Sequence, residues 1–382
     1  MEEINIFEGT TDNAPQKLNY LPGTMEILDT HLGKLISEEK LQGAGYLIAR
    51  KNQVIGHRSM GYLRPQTEDR NLRTDSIMRI ASITKLFTAT AIMQLVEKGF
   101  IRVEQPVCEI IDEFSPALFN KITIFHLLTH TSDIKPDPGA YFEPYPEKMD
   151  WWENEDWIKD ILRGHTHIDP GKEWRYCSAG YAILGEIVAR ASGQSFEEYV
   201  RENIFAPLEM KDTYFFTVPE DKIHRVCSRE EETDQAIKEK MEDVKNRPEW
   251  ATPGSAGSMY TTLTDLNKFA TMIQNKGKFK DRRVLSRKSV ETMTRNQLQG
   301  VADNCWENED VERSYGLGFR VQSDFLLLTP GSVSHEGAGL SALYLDPAEE
   351  LTFILFGPLN RELDFEARAV FNTINIVWSG LE

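Results

Sequence analysis

The chain has 382 residues, of which 40% are hydrophobic and 27% charged, enough for one large α/β domain or two smaller ones around a sizeable core. Its formal charge of −17 would repel nucleic acid and anionic membrane surfaces. No apolar run approaches the roughly 20 residues that a bilayer crossing requires, so the expected partner is a small molecule rather than nucleic acid or a membrane.

The acidic start Met1-Glu2-Glu3-Ile4-Asn5 is followed by no apolar stretch with a small-residue cleavage site, from which a cytoplasmic protein is expected. Cys108, Cys177, Cys227 and Cys305 are widely spaced and include no Cys-x-x-Cys pair, so free thiols are expected rather than a disulfide framework or a zinc site. No metal and no cofactor is expected. The acidic runs Arg229-Glu230-Glu231-Glu232 and Glu307-Asn308-Glu309-Asp310 read as solvated faces. Neither an internal repeat nor a Gly/Ser-rich or Pro-rich linker divides the chain, so residues 1–382 read as one folding unit of open oligomeric state.

Pro22-Gly23 precedes an amphipathic stretch running to about Lys40, and 44–50 with 53–57 read as a hairpin across Lys51-Asn52. From Ser82 to about Lys98, the residues Leu86, Phe87, Ala91, Ile92 and Leu95 recur at helical spacing. Gly99 supplies a C-terminal stop, which predicts a mostly buried helix. Further helical patterns cover 122–130, 151–163, 178–192, 196–204 and 262–276. Beyond residue 310 the pattern changes to short β-rich runs over 316–321, 325–329, 340–345 and 351–356, before a closing helix over 362–380. Strands at both ends of the chain predict an α/β fold of the α+β type. One antiparallel sheet is built from roughly 20–80 and 260–382, with flanking helices and a mainly helical part over 81–259. A site between the two parts is expected.

Ser82-Ile83-Thr84-Lys85 matches Ser-x-x-Lys, a loose pattern that recurs at Ser37 to Lys40 and at Ser132 to Lys135. Ser37 lies in a polar stretch, and Lys135 runs into Pro136, which disfavours a continuing helix. Ser82 follows Ile77-Met78-Arg79-Ile80-Ala81 and opens an apolar helix. Residues three apart share a helix face, so the Lys85 amine would reach the Ser82 hydroxyl. Burial and the positive end of the helix dipole both disfavour an ammonium there, and a neutral lysine can accept the serine proton.

Taken alone, Ser82 reads as an N-cap serine, Tyr176 as a packing aromatic and Gly337 as a bulge or close-approach residue. Taken alone, His335 is as readily structural as catalytic. Two segments change that reading when set beside Ser82. Trp174-Arg175-Tyr176-Cys177-Ser178-Ala179-Gly180-Tyr181 follows the turn Asp169-Pro170-Gly171, and Ser334-His335-Glu336-Gly337-Ala338-Gly339 stands at the expected start of a strand.

With Arg79 to Lys85, Leu127-Leu128-Thr129-His130-Thr131-Ser132, Ile204-Phe205-Ala206-Pro207-Leu208 and Tyr315-Gly316-Leu317-Gly318, these segments resemble the β-lactamase-related serine hydrolases of the penicillin-recognising superfamily. The resemblance runs from about residue 40 to residue 360. Members of that family include class C β-lactamases, D-Ala-D-Ala carboxypeptidases, D-aminopeptidases and esterases. The resemblance implies Ser82 as the acyl-accepting nucleophile, with Lys85 and Tyr176 handling protons. It aligns Tyr176 and Ser178 with a Tyr-x-Asn or Tyr-x-Ser element, and His335 and Gly337 with the His-x-Gly variant of Lys-Thr-Gly. The backbone N–H groups of Ser82 and Ala338 would then hold the developing oxyanion. His130 is read as structural, because Ser82, Lys85 and Tyr176 already supply the proton transfers. Tyr141-Phe142-Glu143-Pro144-Tyr145 with Trp151, Trp152 and Trp157 reads either as a substrate entrance or as ordinary packing.

Ser178 stands where β-lactamases and transpeptidases commonly carry asparagine, and His335 where they carry the lysine that helps hold a substrate carboxylate. Both changes weaken a β-lactam reading. Glu336 replaces a hydroxyl residue; facing a ligand, it would repel a carboxylate and suit a neutral or amine-bearing substrate. No glutamate is assignable as a separate deacylating base, so water activation falls to Tyr176 and Lys85. The expected activity is hydrolysis, through an acyl-enzyme, of a small ester, amide or D-amino-acid peptide. The alternatives are a β-lactamase or penicillin-binding D-Ala-D-Ala carboxypeptidase and, from another class, a non-catalytic binding or sensor protein that keeps the fold.

Overall fold

The computed structural model describes residues 4–64, 71–137, 154–165, 168–229, 233–248, 250–303, 305, 312–322, 327–358 and 372–382. Its seven-stranded sheet consists of β1 (Ile6–Glu8), β2 (Gly43–Arg50), β3 (Gln53–Gly61), β4 (Arg320–Val321), β5 (Val333–Gly337), β6 (Ser341–Asp346) and β7 (Leu351–Phe356). The order is β1-β3-β2-β7-β6-β5-β4, antiparallel throughout. The early and late parts of the chain meet where β2 pairs with β7, from Arg50 opposite Leu351 to Gly45 opposite Phe356.

Alternation along these strands feeds two cores. Leu47, Leu343 and Ile354 face the helical layer, whereas Tyr46, Tyr344 and Phe353 face α1 (Gly23–Ser37) and the helical residues 372–378. Side chains of successive strand residues point to opposite faces, so strands buried on both faces read as continuous apolar runs. Helix α1 covers the sheet with Met25, Leu28, Leu32, Leu35 and Ile36, the three- and four-residue spacing of one helix face.

The opposite layer contains α2 (Thr84–Glu97), α3 (Ile124–Leu128), α4 (Trp157–Arg163), α5 (Ser178–Ser192), α6 (Phe196–Val200), α8 (Leu263–Gln274) and α9 (Arg287–Thr294), whereas α7 (Asp234–Lys245) packs apart from it against Ile77, Val218, Ile223 and Val226. Helix α2 is buried all round from Thr84 to Leu95, and the Phe87 ring lies 4.2 Å from that of Phe269 on α8. Burying each such aromatic or leucine contributes about 1.5–3 kcal/mol. The polar residues on α2 find acceptors: Thr88 donates to the Ser255 carbonyl at 2.6 Å, and Gln94 donates to Asn203 and Val284 carbonyls. At its end Gly99 takes φ 75°, Gly99 N–H reaches Val96 O, and Phe100 N–H reaches Leu95 O. That pair of bonds is a Schellman stop, which the left-handed glycine makes possible.

Several expectations shift. The helix over 122–130 is confined to Ile124–Leu128, and His130 beyond it takes a left-handed φ of 58°. Helix α4 starts at Trp157, and residues 151–153 lie outside the described residues, as do Tyr141 to Tyr145. The pattern over 196–204 becomes α6 followed by a π-helical turn, Arg201–Phe205. Of the expected strand 316–321 only Arg320–Val321 pairs, because Gly316 packs against the Met293 carbonyl and Gly318 has φ 89°. Of 325–329, residues 325–326 lie outside the described residues, and Thr329 N–H bonds the Asp346 carboxylate at 3.4 Å instead of joining a ladder. Ser334 to Gly337 lies within β5 and ends it, rather than opening the next strand. Of the closing helix, 372–378 is helical and 362–371 lies outside the described residues, as do Glu230 to Glu232 and Glu307 to Asp310. Among the described residues no helix is long and apolar enough to cross a membrane, and the four cysteines form no disulfide.

Candidate active site

Ser82 sits in the 3-10 turn Ala81–Ile83 that leads into α2. Ala81 before it takes φ 42°, a left-handed conformation that costs a non-glycine residue about 1–3 kcal/mol and is concentrated at functional positions. Ser82 does not cap α2: the N-cap position is Ile83, and no side chain caps it. The hydroxyl is therefore left for other contacts. Lys85, fully buried on the first turn of α2, places Nζ 3.0 Å from Ser82 Oγ. The same ammonium group lies 2.8 Å from the Ala256 carbonyl and 3.1 Å from Ser178 Oγ. Burial brings its pKa down to about 8, against an opposing pull from Asp137. The two other Ser-x-x-Lys matches build nothing comparable: Ser37 is exposed and bonds Lys34 O, and Asp133 breaks helical geometry after Ser132 with φ 60°.

Tyr176 and Ser178 reach this helix end because the segment 130–137 runs beside 175–178. Arg175 N–H donates to His130 O, Cys177 N–H donates to His130 Nδ1, and Asp137 N–H donates to Tyr176 O, at 2.9, 3.0 and 2.9 Å. The Tyr176 hydroxyl hydrogen-bonds Ser82, and its ring centre is 4.9 Å from Lys85 Nζ. Burial holds this phenol well above the ordinary tyrosine range, so it is protonated at neutral pH. Ser178 opens α5, where Cys177 Sγ accepts the Gly180 N–H at 3.2 Å. His130 is buried with its ring 4.5 Å from that of Tyr176. Because its Nδ1 accepts from Cys177, its proton belongs on Nε2, and that atom has no partner.

Strand β5 closes the other side. His335 Nδ1 is 2.7 Å from the Glu336 carbonyl, which assigns the ring proton to Nδ1 and leaves Nε2 a bare acceptor, buried without a partner. Its ring lies 6.4 Å from that of Tyr176, and burial followed by the nearby Lys85 lowers its pKa to about 4, so it is neutral. A Cβ on Gly337 would sit 2.1 Å from the Ile80 carbonyl, which makes glycine the residue that lets β5 end against the Ser82 turn. Ser341 Oγ donates to that same carbonyl at 2.9 Å. Ala338 follows, itself exposed, in a turn whose Gly339 and Leu340 are buried. Glu336 points to the opposite face, where it accepts from Tyr344 and Ser334, so the inference that it repels a substrate carboxylate fails.

Two contributors were invisible in the sequence. Asp137 accepts from both the Ser178 N–H and its hydroxyl at 2.6 Å, across a separation of 41 residues. The Ala256 carbonyl faces Lys85 from a loop with no motif. Trp157 is buried in the core rather than at an entrance. A cavity of about 600 Å³ opens between α7 and the segment Tyr214 to Pro219, but neither Ser82, Lys85, Tyr176 nor His335 lines it.

The antiparallel sheet flanked by helices is a fold this chain shares with solved structures titled as a penicillin-binding protein homolog and a class C β-lactamase. The chain belongs to the Beta-lactamase family, whose model matches residues 28–370. It is 34% identical over 180 residues to Penicillin-binding protein 4* of Bacillus subtilis (strain 168), covering 46% of this chain and 38% of that protein. It is 29% identical over 210 residues to Esterase EstB of Burkholderia gladioli, covering 51% of this chain and 52% of that one. In both cases the match spans about half of the relative's length or less. In fold the chain is similar to a penicillin-binding protein homolog from Caulobacter crescentus, with a TM-score of 0.73 at 19% identity over 98% of this chain and 100% of that one.

Proposed function

We propose that the protein is a serine hydrolase that acts through an acyl-enzyme on a small ester, amide or D-amino-acid peptide. The observation that carries this reading is the 3.0 Å contact between Ser82 Oγ and buried Lys85 Nζ, with the Tyr176 hydroxyl on the same serine. A lysine held at about 8 is neutral often enough near neutral pH to act as a base, whereas Tyr176 keeps its proton to pass on.

Ser82 Oγ attacks the carbonyl carbon, its proton passes to Lys85 Nζ, and the carbonyl π electrons move onto the oxygen. The N–H groups of Ser82 and Ala338 hold that charge. As the bond to the leaving group breaks, the leaving group takes the Tyr176 proton, and Lys85 restores it. Water then attacks the acyl carbon and gives its proton to the same pair; the bond from that carbon to Ser82 Oγ breaks, the pair returns the proton to Oγ, and the acid departs. Neutral His335 offers an acceptor and no positive charge, which suits an amide N–H, hydroxyl or ammonium on the substrate better than a carboxylate.

Incubation with a p-nitrophenyl ester, a D-amino-acid amide and a penicillin, followed by product release and intact mass, tests the proposal. We expect turnover of the ester or amide that disappears in Ser82→Ala. Turnover that persists in Ser82→Ala overturns the assignment, and a long-lived penicillin adduct in place of turnover would favour the penicillin-binding reading.

A further inference from the structure

We infer that Asp137 is a positioning residue that sets the direction of the hydrogen bonds around Lys85 by way of Ser178. The inference rests on the proposed role of Lys85 as the base. A carboxylate only accepts hydrogen bonds, so the contacts of Asp137 with Ser178 N–H and Ser178 Oγ, both 2.6 Å, commit the one hydroxyl proton of Ser178 to Asp137. Ser178 Oγ can then only accept from Lys85 Nζ, at 3.1 Å. The Ala256 carbonyl, at 2.8 Å, can likewise only accept.

A neutral amine has two N–H bonds and one lone pair. With both N–H groups engaged by Ala256 and Ser178, the lone pair is left for the third neighbour, Ser82 Oγ at 3.0 Å, from which it must take a proton. Were the Ser178 proton free, it could occupy that lone pair and compete with Ser82. Asp137 is itself held in register by its own N–H on the Tyr176 carbonyl at 2.9 Å.

The other groups acting on Lys85 are Cys177, His130, His335 and the rings of Tyr176 and Tyr181. Burial keeps the thiol and phenols protonated and the imidazoles neutral, which leaves the Asp137 carboxylate as the anion among them. Glu336 acts on Tyr176 and His335, and Arg313 on His130 and His335.

The test is the rate of phosphonylation of the full chain by a tagged fluorophosphonate, measured across pH for wild type, Asp137→Asn, Ser178→Ala and the double variant. Thermal melting checks that each is folded. Asparagine presents an NH2 to Ser178 Oγ and so turns the serine proton toward Lys85. We expect each single variant to label at least about tenfold more slowly, a part of the roughly 10²–10⁴-fold that a positioned proton transfer contributes. The double variant should be no slower than the slower single, because both act along one path. In Asp137→Asn the acid limb moves to lower pH, since an ammonium that loses a neighbouring anion gives up its proton more readily. Wild-type rate with an unmoved limb in folded Asp137→Asn, or losses that multiply in the double variant, overturns the inference. Should Asp137→Asn not fold, labelling of Ser178→Ala within about twofold of wild type overturns it. Labelling that survives Ser82→Ala instead overturns the serine hydrolase reading, so the two failures are distinct.

Discussion

On the face of the sheet that packs against α1, Glu336 accepts from Tyr344 and Ser334, the Tyr46 hydroxyl donates to Asp29 at 2.8 Å, and Trp378 Nε1 donates to Asp346 at 2.9 Å. One residue along β5, on the face turned to the helical layer, His335 keeps a buried ring nitrogen without a partner, and so does His130 beside Tyr176. Left-handed Ala81 and His130 flank the same region, and a lysine is buried there. An unpaired buried polar atom costs about 1–3 kcal/mol, and a strained backbone residue a similar amount. These named pairs on the first face close on one another and stabilise the fold, although His31 Nε2 on α1 and Arg50 Nε on β2 are also buried without a partner. The polar groups of the second face are held open at a cost to stability, the expected condition of groups arranged for a ligand.

Three substitutions probe that contrast. The largest effect is expected from Lys85→Met, which fills the same space without the amine: phosphonylation of Ser82 should fall by about 10²–10⁴. Denaturant unfolding should find the variant as stable as wild type or more so, because a buried amine has been removed. A marked loss of stability would make Lys85 a structural residue. Next, Phe353→Ala in the α1-facing core should cost about 3–5 kcal/mol in the same unfolding assay, with the labelling rate of the folded fraction unchanged. The smallest effect belongs to Tyr344→Phe, which takes a donor from Glu336: about 1–3 kcal/mol of stability and no change in labelling. A slowed rate there would show that the two faces are not separable.

The parts of the fold that read clearly from the sequence are those whose apolar pattern is dense. Leu351 to Phe356 feeds both cores and reads as a strand without help, and the terminal position of the hairpin strands already suggested a sheet joined from both ends. Strand β5 does not, because Ser334, His335, Glu336 and Gly337 carry no apolar alternation and pairing with β6 makes them a strand. Helices α7 and α9 went unnoticed because each buries few apolar side chains, Ile237 and Met241 in one, Val290 and Met293 in the other. Ser82 and Lys85 were legible as neighbours because one helical turn joins them. Asp137 was not, since only the packing of segment 130–137 along 175–178 brings it to Ser178. The direction of Glu336 likewise depended on strand register, which motif matching does not supply.

Ser82 is proposed to be acylated with neutral Lys85 as its base. The most direct test is the pH dependence of covalent labelling by a fluorophosphonate, followed by intact mass and peptide mapping. The expected result is a single adduct on the Ser82 peptide, at a rate that rises with pH through about 8, where Lys85 loses its proton, and levels above it. A rate that is flat or falls across that range, or an adduct that remains in Ser82→Ala, would contradict the claim.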